Sequence, residues 1–229
     1  MGMHDPTLAE LDHDYQLTMT RFDHAGVAQR YAVKKHAPDW RNTRELELIR
    51  STLSALPAGS HVLDLPSGTG RIAMALARDG FQVTAADSSA HMLSVAQQQS
   101  HRQGIDGIRF SACDILKSGF ADDAFDAVLC NRLLHHYRKP EVRSAVLAEL
   151  RRISRGPVIA FYFLRTSSSW LSYDARNWIR GKHPEDRIPV AKAQLEAEAN
   201  AAGLKIERID WVRPMLSPQC YVTFQPIAK

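Results

Sequence analysis

Short apolar runs alternate with amphipathic stretches along most of this chain. The clearest run is Val62, Leu63 and Leu65, inside HVLDLPSGTGRIA at 61–73. A β-branched and leucine-rich run bounded by Pro and Gly predicts a strand buried on both faces. Similar runs at 81–86 (FQVTAA), 108–112, 125–130 (FDAVLC) and 157–164 (PVIAFYFL) predict four more strands, and 204–212 and 219–226 a closing pair. Between them, helical spacing appears at 71–78 (Ile72, Ala75, Leu76), from Ser88 or Ser89 to about 103 (Met92, Leu93, Ala96), at 141–153 and at 191–202. Two helices are expected ahead of the first strand. Residues 21–35 have rough helical spacing, and 41–56 carry Leu46, Ile49, Leu53 and Leu56 on one face before Pro57-Ala58-Gly59 ends the helix. Strand and helix in alternation call for a doubly wound parallel sheet with crossover helices.

In such sheets ligands bind beyond the carboxyl ends of the strands. Here an acid stands at the end of each of the first three strands: Asp64, Asp87 and Asp114. After Asp64 comes a turn of Pro66, Ser67, Gly68, Thr69 and Gly70. Its glycines let the backbone bend sharply and bring no Cβ between the main chain and a ligand. The following helix start offers free N–H groups and the positive end of a dipole. Asp87 follows the turn by about twenty residues, the separation at which an acid reaches ribose hydroxyls in a nucleoside-binding βαβ unit. Any one of these acids has a plain alternative as a turn or capping aspartate. Three in register favour a nucleoside site.

Composition narrows the setting more than the chemistry. With 229 residues and 45% hydrophobic content, the chain suits one sizeable domain with a small appendage. We divide it into an N-terminal helical cap (1–56) and the main domain (57–229), with 165–189 as an insertion after the fifth strand. The acidic, polar start MGMHDPTLAELDHDY is unlike a secretory signal, and no apolar run approaches a membrane span. Cys113, Cys130 and Cys220 lie far apart without metal spacing, as expected of free thiols in a reducing compartment. A cytoplasmic protein without a metal site is the expectation. The net charge of +4 is an ordinary solubility surplus and does not call for a nucleic-acid partner.

The motifs together resemble those of the class I S-adenosylmethionine-dependent methyltransferases, from about residue 40 to the C-terminus. VLDLPSGTGRIA is similar to the family's glycine-rich first motif; Asp64, Gly68 and Gly70 fill their positions, and Pro66 stands for the first glycine. The resemblance implies a Rossmann-like, seven-stranded sheet whose last strand runs antiparallel, with S-adenosylmethionine as cofactor. VTAADSSAHML would then put Asp87 on the ribose hydroxyls, with Ser88 and Met92 flanking the adenine. ACDIL would put Asp114 on the adenine amino group, with Cys113 and Ile115 along the ring. FDAVLCNRLLHHY would turn Asn131, His135 and His136 toward the methionine end. A nicotinamide dehydrogenase, the rival reading of a glycine turn plus acid, fits less well. A third glycine is missing where Ile72-Ala73 stand, and no second βαβαβ half follows.

Methyl transfer asks a protein to position the acceptor and, for a hydroxyl or protonated amine, to remove a proton. His136 and His135 are the candidate bases, with cofactor lining as their alternative role. Substrate selection is expected from Tyr31 and Arg44 in the helical cap and from Trp178 and Arg180 in the insertion. Leu171, Ala175, Trp178 and Ile179 share one helical face there. That helix could be a lid, an anion-binding wall, a membrane-surface helix for a lipid-linked acceptor, or simply packed on its own domain. The expected activity is methylation of a small or medium-sized acceptor at oxygen or nitrogen. An RNA-modifying methyltransferase and a non-catalytic nucleoside-binding module stand as alternatives.

Overall fold

Side chains along β1 (His61–Asp64) point alternately to the two sides of the sheet, Val62 into one core and Leu63 into the other. The computed structural model describes residues 16, 26, 28, 39–165, 167–179, 181 and 187–227. Around β1 stand β2 (Gln82–Asp87), β3 (Ile108–Ala112), β4 (Ala127–Cys130) and β5 (Val158–Arg165), all parallel to it. The chain closes with β7 (Leu204–Trp211) and β8 (Gln219–Pro226), and the order across the sheet is β3-β2-β1-β4-β5-β8-β7. β8 is antiparallel to both its neighbours, the reversed last strand that the sequence leads one to expect. An eighth, two-residue strand, β6 (Val190–Ala191), pairs with Leu164 and Arg165 inside the stretch read as insertion and helix start. Two residues are too few to carry a periodicity.

Helices cover both faces. Leu48, Ile49 and Leu53 of α1 (Trp40–Leu53) and Ile72, Ala73 and Leu76 of α2 (Arg71–Arg78) pack on Val62, Leu129, Phe161, Phe163 and Tyr221. Opposite them, α4 (Pro140–Ile153) and α6 (Lys192–Ala201) meet Leu63, Val128, Ala160, Tyr162 and Val222. A buried ion pair joins α4 to α6: Arg143 Nε donates to Glu198 at 3.0 Å, with the two side chains 1% and 4% exposed. The same guanidinium donates to the carbonyls of Tyr137 at 2.6 Å and Arg138 at 3.0 Å. It thereby fixes the short 3₁₀ turn (Leu134–His136) just before them.

Local chemistry sets the helix starts. Ser89 caps α3 (Ala90–Arg102) by accepting the Met92 N–H, and Asp39 caps α1 by accepting the Arg41 N–H. Of the expected helix at 21–35, only Gly26 and Ala28 are described, both helical. The insertion does form a helix, α5 (Ser167–Ile179), but the apolar face expected to pack is turned outward. Leu171, Trp178 and Ile179 are 69%, 77% and 74% exposed. Tyr173 packs against the core instead, its ring centre 6.1 Å from that of Phe163. Trp170 stacks beside it at 5.8 Å.

Candidate active site

The site is built at the carboxyl ends of β1, β2 and β4. After Asp64 the chain turns through a cis Leu65–Pro66 bond, and Ser67 N–H is held by the Ala86 carbonyl of β2 at 2.8 Å. Gly68 and Gly70 adopt φ of 54° and 76°, the left-handed region where a side chain is strained. A Cβ on Gly70 would also stand 3.0 Å from the Ala96 Cβ of α3. This position therefore needs glycine twice over: for the backbone turn and for the approach of α3.

Asp87 holds the turn from the neighbouring strand. Its Oδ2 accepts the Gly68 N–H at 2.8 Å and its Oδ1 the Ser89 N–H at 2.9 Å. One carboxylate thus ties β2 to the glycine turn and to the start of α3, the turn role weighed for these acids as the alternative to ligand binding.

Asp64 is in a different state. It is 1% exposed, and neither carboxylate oxygen has a hydrogen-bond partner among the described residues; the nearby Ser67 Oγ has none either. Burial pushes its carboxyl up to about 7, with Arg71 and the Ala73 N–H opposing the shift and Asp87 adding to it. A buried carboxylate without partners is costly unless a cationic or hydrogen-bonding group arrives to meet it.

Glu45, which no local motif singles out, lies between two arginines. It is 1% exposed; Arg71, the first residue of α2, donates to it at 3.0 Å, and Arg132, just past β4, donates to its other oxygen. Burial outweighs the opposing pull of Arg71 and Arg41 and raises the Glu45 carboxyl to about 7. Arg132 adopts a left-handed φ of 57°, while its neighbour Asn131 accepts the Tyr221 hydroxyl at 2.8 Å. The loop beyond β4 is therefore held from α1 and from β8.

Other expected ligand residues are placed less uniformly. Asp114 Oδ1 accepts the Leu116 N–H at 2.8 Å, closing its own turn. Cys113 is half-buried with its thiol pushed up to about 11, chiefly by burial. Ser88 is exposed, and the capping role belongs to Ser89. Ile115 (4% exposed) and Met92 (2%) are buried among protein atoms, so they stand behind the site and offer it little surface.

The two histidines differ. His135 is 6% exposed, packed against Phe161 and Phe163 with ring centres 5.5 Å and 5.2 Å away. Burial, aided by His136 and nearby arginines, drives its pKa well below the usual range, so it is a neutral imidazole. His136 is half-buried and stacks on it at 4.1 Å. Of the expected substrate residues, Arg44 is ion-paired with Glu47 at the surface of α1. Trp178 stands in solvent, because the apolar row it belongs to is the one α5 leaves uncovered. Tyr31 and Arg180 lie outside the described residues.

A strand–glycine turn–helix with acids at the ends of β1 and β2, in a sheet of this order, defines an α/β nucleoside-binding enzyme fold. The Methyltransferase domain family matches residues 62–156. The Ubiquinone biosynthesis O-methyltransferase of Xanthomonas axonopodis pv. citri is 30% identical over 175 residues, 73% of this chain and 71% of that protein. The Ubiquinone/menaquinone biosynthesis C-methyltransferase UbiE of Desulfotalea psychrophila is 41% identical over 99 residues, 42% of this chain and only 38% of that protein. In fold, the chain is similar to magnesium protoporphyrin IX methyltransferase from Synechocystis PCC 6803, solved with bound SAH. The TM-score is 0.72 at 19% identity, over 92% of this chain and 99% of that one. The chain belongs to the class I S-adenosylmethionine-dependent methyltransferases, and its cofactor is S-adenosylmethionine. The residues present fit that cofactor: the unpartnered Asp64 carboxylate suits a cationic amino-acid end.

Proposed function

We propose that this protein methylates a small-molecule acceptor carrying an oxygenated ring, at oxygen or at ring carbon, rather than RNA. Bound S-adenosylmethionine supplies an electrophilic methyl group on a sulfonium. The chain's own residues do the holding. Asp64 would meet the cationic amino-acid end, Gly68 and Gly70 keep the approach clear, and Asp87 would accept from the ribose. Asp114 and Cys113 would border the adenine, and Asn131 faces the methionine side. Where the acceptor oxygen must lose a proton, His136 is our assigned base. His135 is held neutral by burial, and its depressed basicity makes it a poor proton acceptor. The observation that carries the acceptor class is the run of rings leading away from Asn131: Tyr221, Phe161, His135 and Phe163, with successive centres 5.4, 5.5 and 5.2 Å apart. The ring chemistry named for the two curated relatives points the same way.

A lipid-linked form of this acceptor is favoured by one further feature. Leu171, Trp178 and Ile179 of α5 face solvent, and so do Met215 (74% exposed) and Leu216 (43%), with Ser172 Oγ bonded to the Met215 carbonyl at 3.3 Å. No helix among the described residues is long and apolar enough to cross a membrane, so such contact would be at the surface. Methyl-labelled S-adenosylmethionine given with cell extract tests the reading. Label should pass into the solvent-extracted lipid and small-molecule fraction and survive nuclease. Label that is acid-precipitable and lost to ribonuclease would overturn it in favour of RNA.

A further inference from the structure

Two buried polar atoms flank Phe163 near the carboxyl end of β5, Tyr173 Oη and His135 Nδ1, and a third, Asn177 Nδ2, lies one turn further along α5; none has a hydrogen-bond partner among the described residues. Tyr173 and His135 each touch the Phe163 ring, at 6.1 Å and 5.2 Å between centres. Asn177 lies four residues beyond Tyr173 on α5, hence on the same side of that helix. The Ile188 N–H, held by the His135 carbonyl at 2.9 Å, ties the far end of the insertion to the same place. Native proteins seldom leave buried donors and acceptors unpaired, and a cluster of three asks what completes it.

We propose that Tyr173, Asn177 and His135 form the polar rim of the acceptor subsite, and that it takes a planar ring bearing hydroxyl or carbonyl oxygens. This rests on the small-molecule reading above and assigns its residues. Each rim group wants a different partner. The Asn177 amide N–H needs an acceptor, the Tyr173 hydroxyl can give or take, and the neutral His135 ring offers its Nδ1. Carbonyl and hydroxyl oxygens on one ring can meet all three; a bare hydrocarbon meets none. The rings of Trp170 and Tyr173, backed by the buried Phe163, favour a flat occupant stacked or edge-on. Arg187, 5.8 Å over the Phe163 ring, adds positive potential that suits an oxygen-rich edge. Periodicity does not single out Tyr173 and Asn177, because the larger apolar residues Leu171, Trp178 and Ile179 lie on the exposed side of α5.

Titration of the full-length protein, saturated with S-adenosylhomocysteine, with 1-naphthol and with naphthalene tests this directly. A pocket built to hydrogen-bond an oxygen rejects the analogue that lacks it. The parent should bind 1-naphthol about 10-fold or more tightly than naphthalene, and Tyr173→Phe and Asn177→Leu should each remove most of that preference. S-adenosylhomocysteine binding should be unchanged in both, which reports that they fold. Asp174→Ala, at an exposed position of α5, should leave the preference intact. The proposal is overturned if the parent does not discriminate, including by binding neither ring. It is equally overturned if both rim variants keep the full preference, or if Asp174→Ala erodes it as much as they do. Because binding is read and not methylation, failure here leaves the methyl-transfer reading to its own test.

Discussion

The Gly68 N–H donates to Asp87 Oδ2 at 2.8 Å, so the acid at the end of β2 holds the turn at the end of β1. The same carboxylate accepts the Ser89 N–H that opens α3. Asp87→Ala should therefore fail in two ways. It leaves two main-chain donors without their acceptor, at a cost of about 1–3 kcal/mol each where they are buried, and it removes the ribose acceptor. Urea denaturation should show the stability loss, and calorimetry the loss of S-adenosylhomocysteine binding. Asp87→Asn keeps one oxygen, so it should recover part of the stability while binding remains impaired. Equal stability of all three proteins would mean that the turn does not depend on this bond.

Arg143 and Glu198 make a comparable claim on the opposite face of the sheet. Replacing Arg143 by Met strands Glu198 between α4 and α6 and releases the Tyr137 and Arg138 carbonyls. Breaking one side of a buried pair costs roughly 3–5 kcal/mol, whereas replacing both partners by apolar residues is often near neutral. The urea midpoint of Arg143→Met should fall accordingly, and that of Arg143→Met with Glu198→Leu should return most of the way. No recovery in the double variant would indicate that the carbonyl contacts of Arg143, and not charge pairing, carry the effect.

The parts of this site legible in the sequence are those that depend on neighbouring residues. Asp64, Gly68 and Gly70 act within a few positions of one another, Ser89 caps the helix that starts at the next residue, and strand periodicity alone puts the acids at one edge of the sheet. Contacts over long separations leave no such trace. Glu45 meets Arg71 across 26 residues and Arg132 across 87, and nothing local to any of the three announces the triad. A helical wheel fares no better with α5. It finds two apolar sides, and only the position of Phe163 decides that Tyr173 packs while Leu171, Trp178 and Ile179 stay outside. Nor does a side chain's partner state follow from its identity: Asp64 and Asp87 are the same residue at equivalent strand ends, one unpartnered among the described residues and one bonded twice to the main chain.

The histidine pair should separate under mutation. If His136 takes the acceptor proton, His136→Gln lowers kcat by about 10²–10⁴-fold with little change in KM. His135→Gln should act mainly through acceptor binding and raise KM. Steady-state kinetics on a phenolic acceptor, with kcat and KM resolved, distinguishes these roles. If His136→Gln retains full kcat, the pair is lining and no side-chain base is required there.

Two buried carboxyls give the protein a pH dependence of definite sign. Asp64 and Glu45 are raised from ordinary values of 3.8 and 4.5 to about 7, both first by burial. Between those limits the folded protein holds protons that the unfolded chain has released. Their contribution to stability is therefore fully present below about pH 4 and is lost as pH rises through about 7, flattening above it. His135 runs the other way, its folded pKa depressed, so its contribution is present above about 6.5 and is lost as pH falls toward that lower folded value. Ligand binding separates the two acids. A cationic amino-acid end favours ionised Asp64, so affinity for S-adenosylhomocysteine should rise about 10-fold between pH 6 and pH 8. Binding at pH 6 should release a proton, visible as a dependence of the calorimetric heat on buffer ionisation enthalpy. Asp64→Asn should bind more weakly and without that pH dependence. Glu45→Gln should flatten part of the stability profile and leave the binding profile as it was. An affinity that does not change from pH 6 to pH 8 in the parent would take Asp64 out of contact with the ligand.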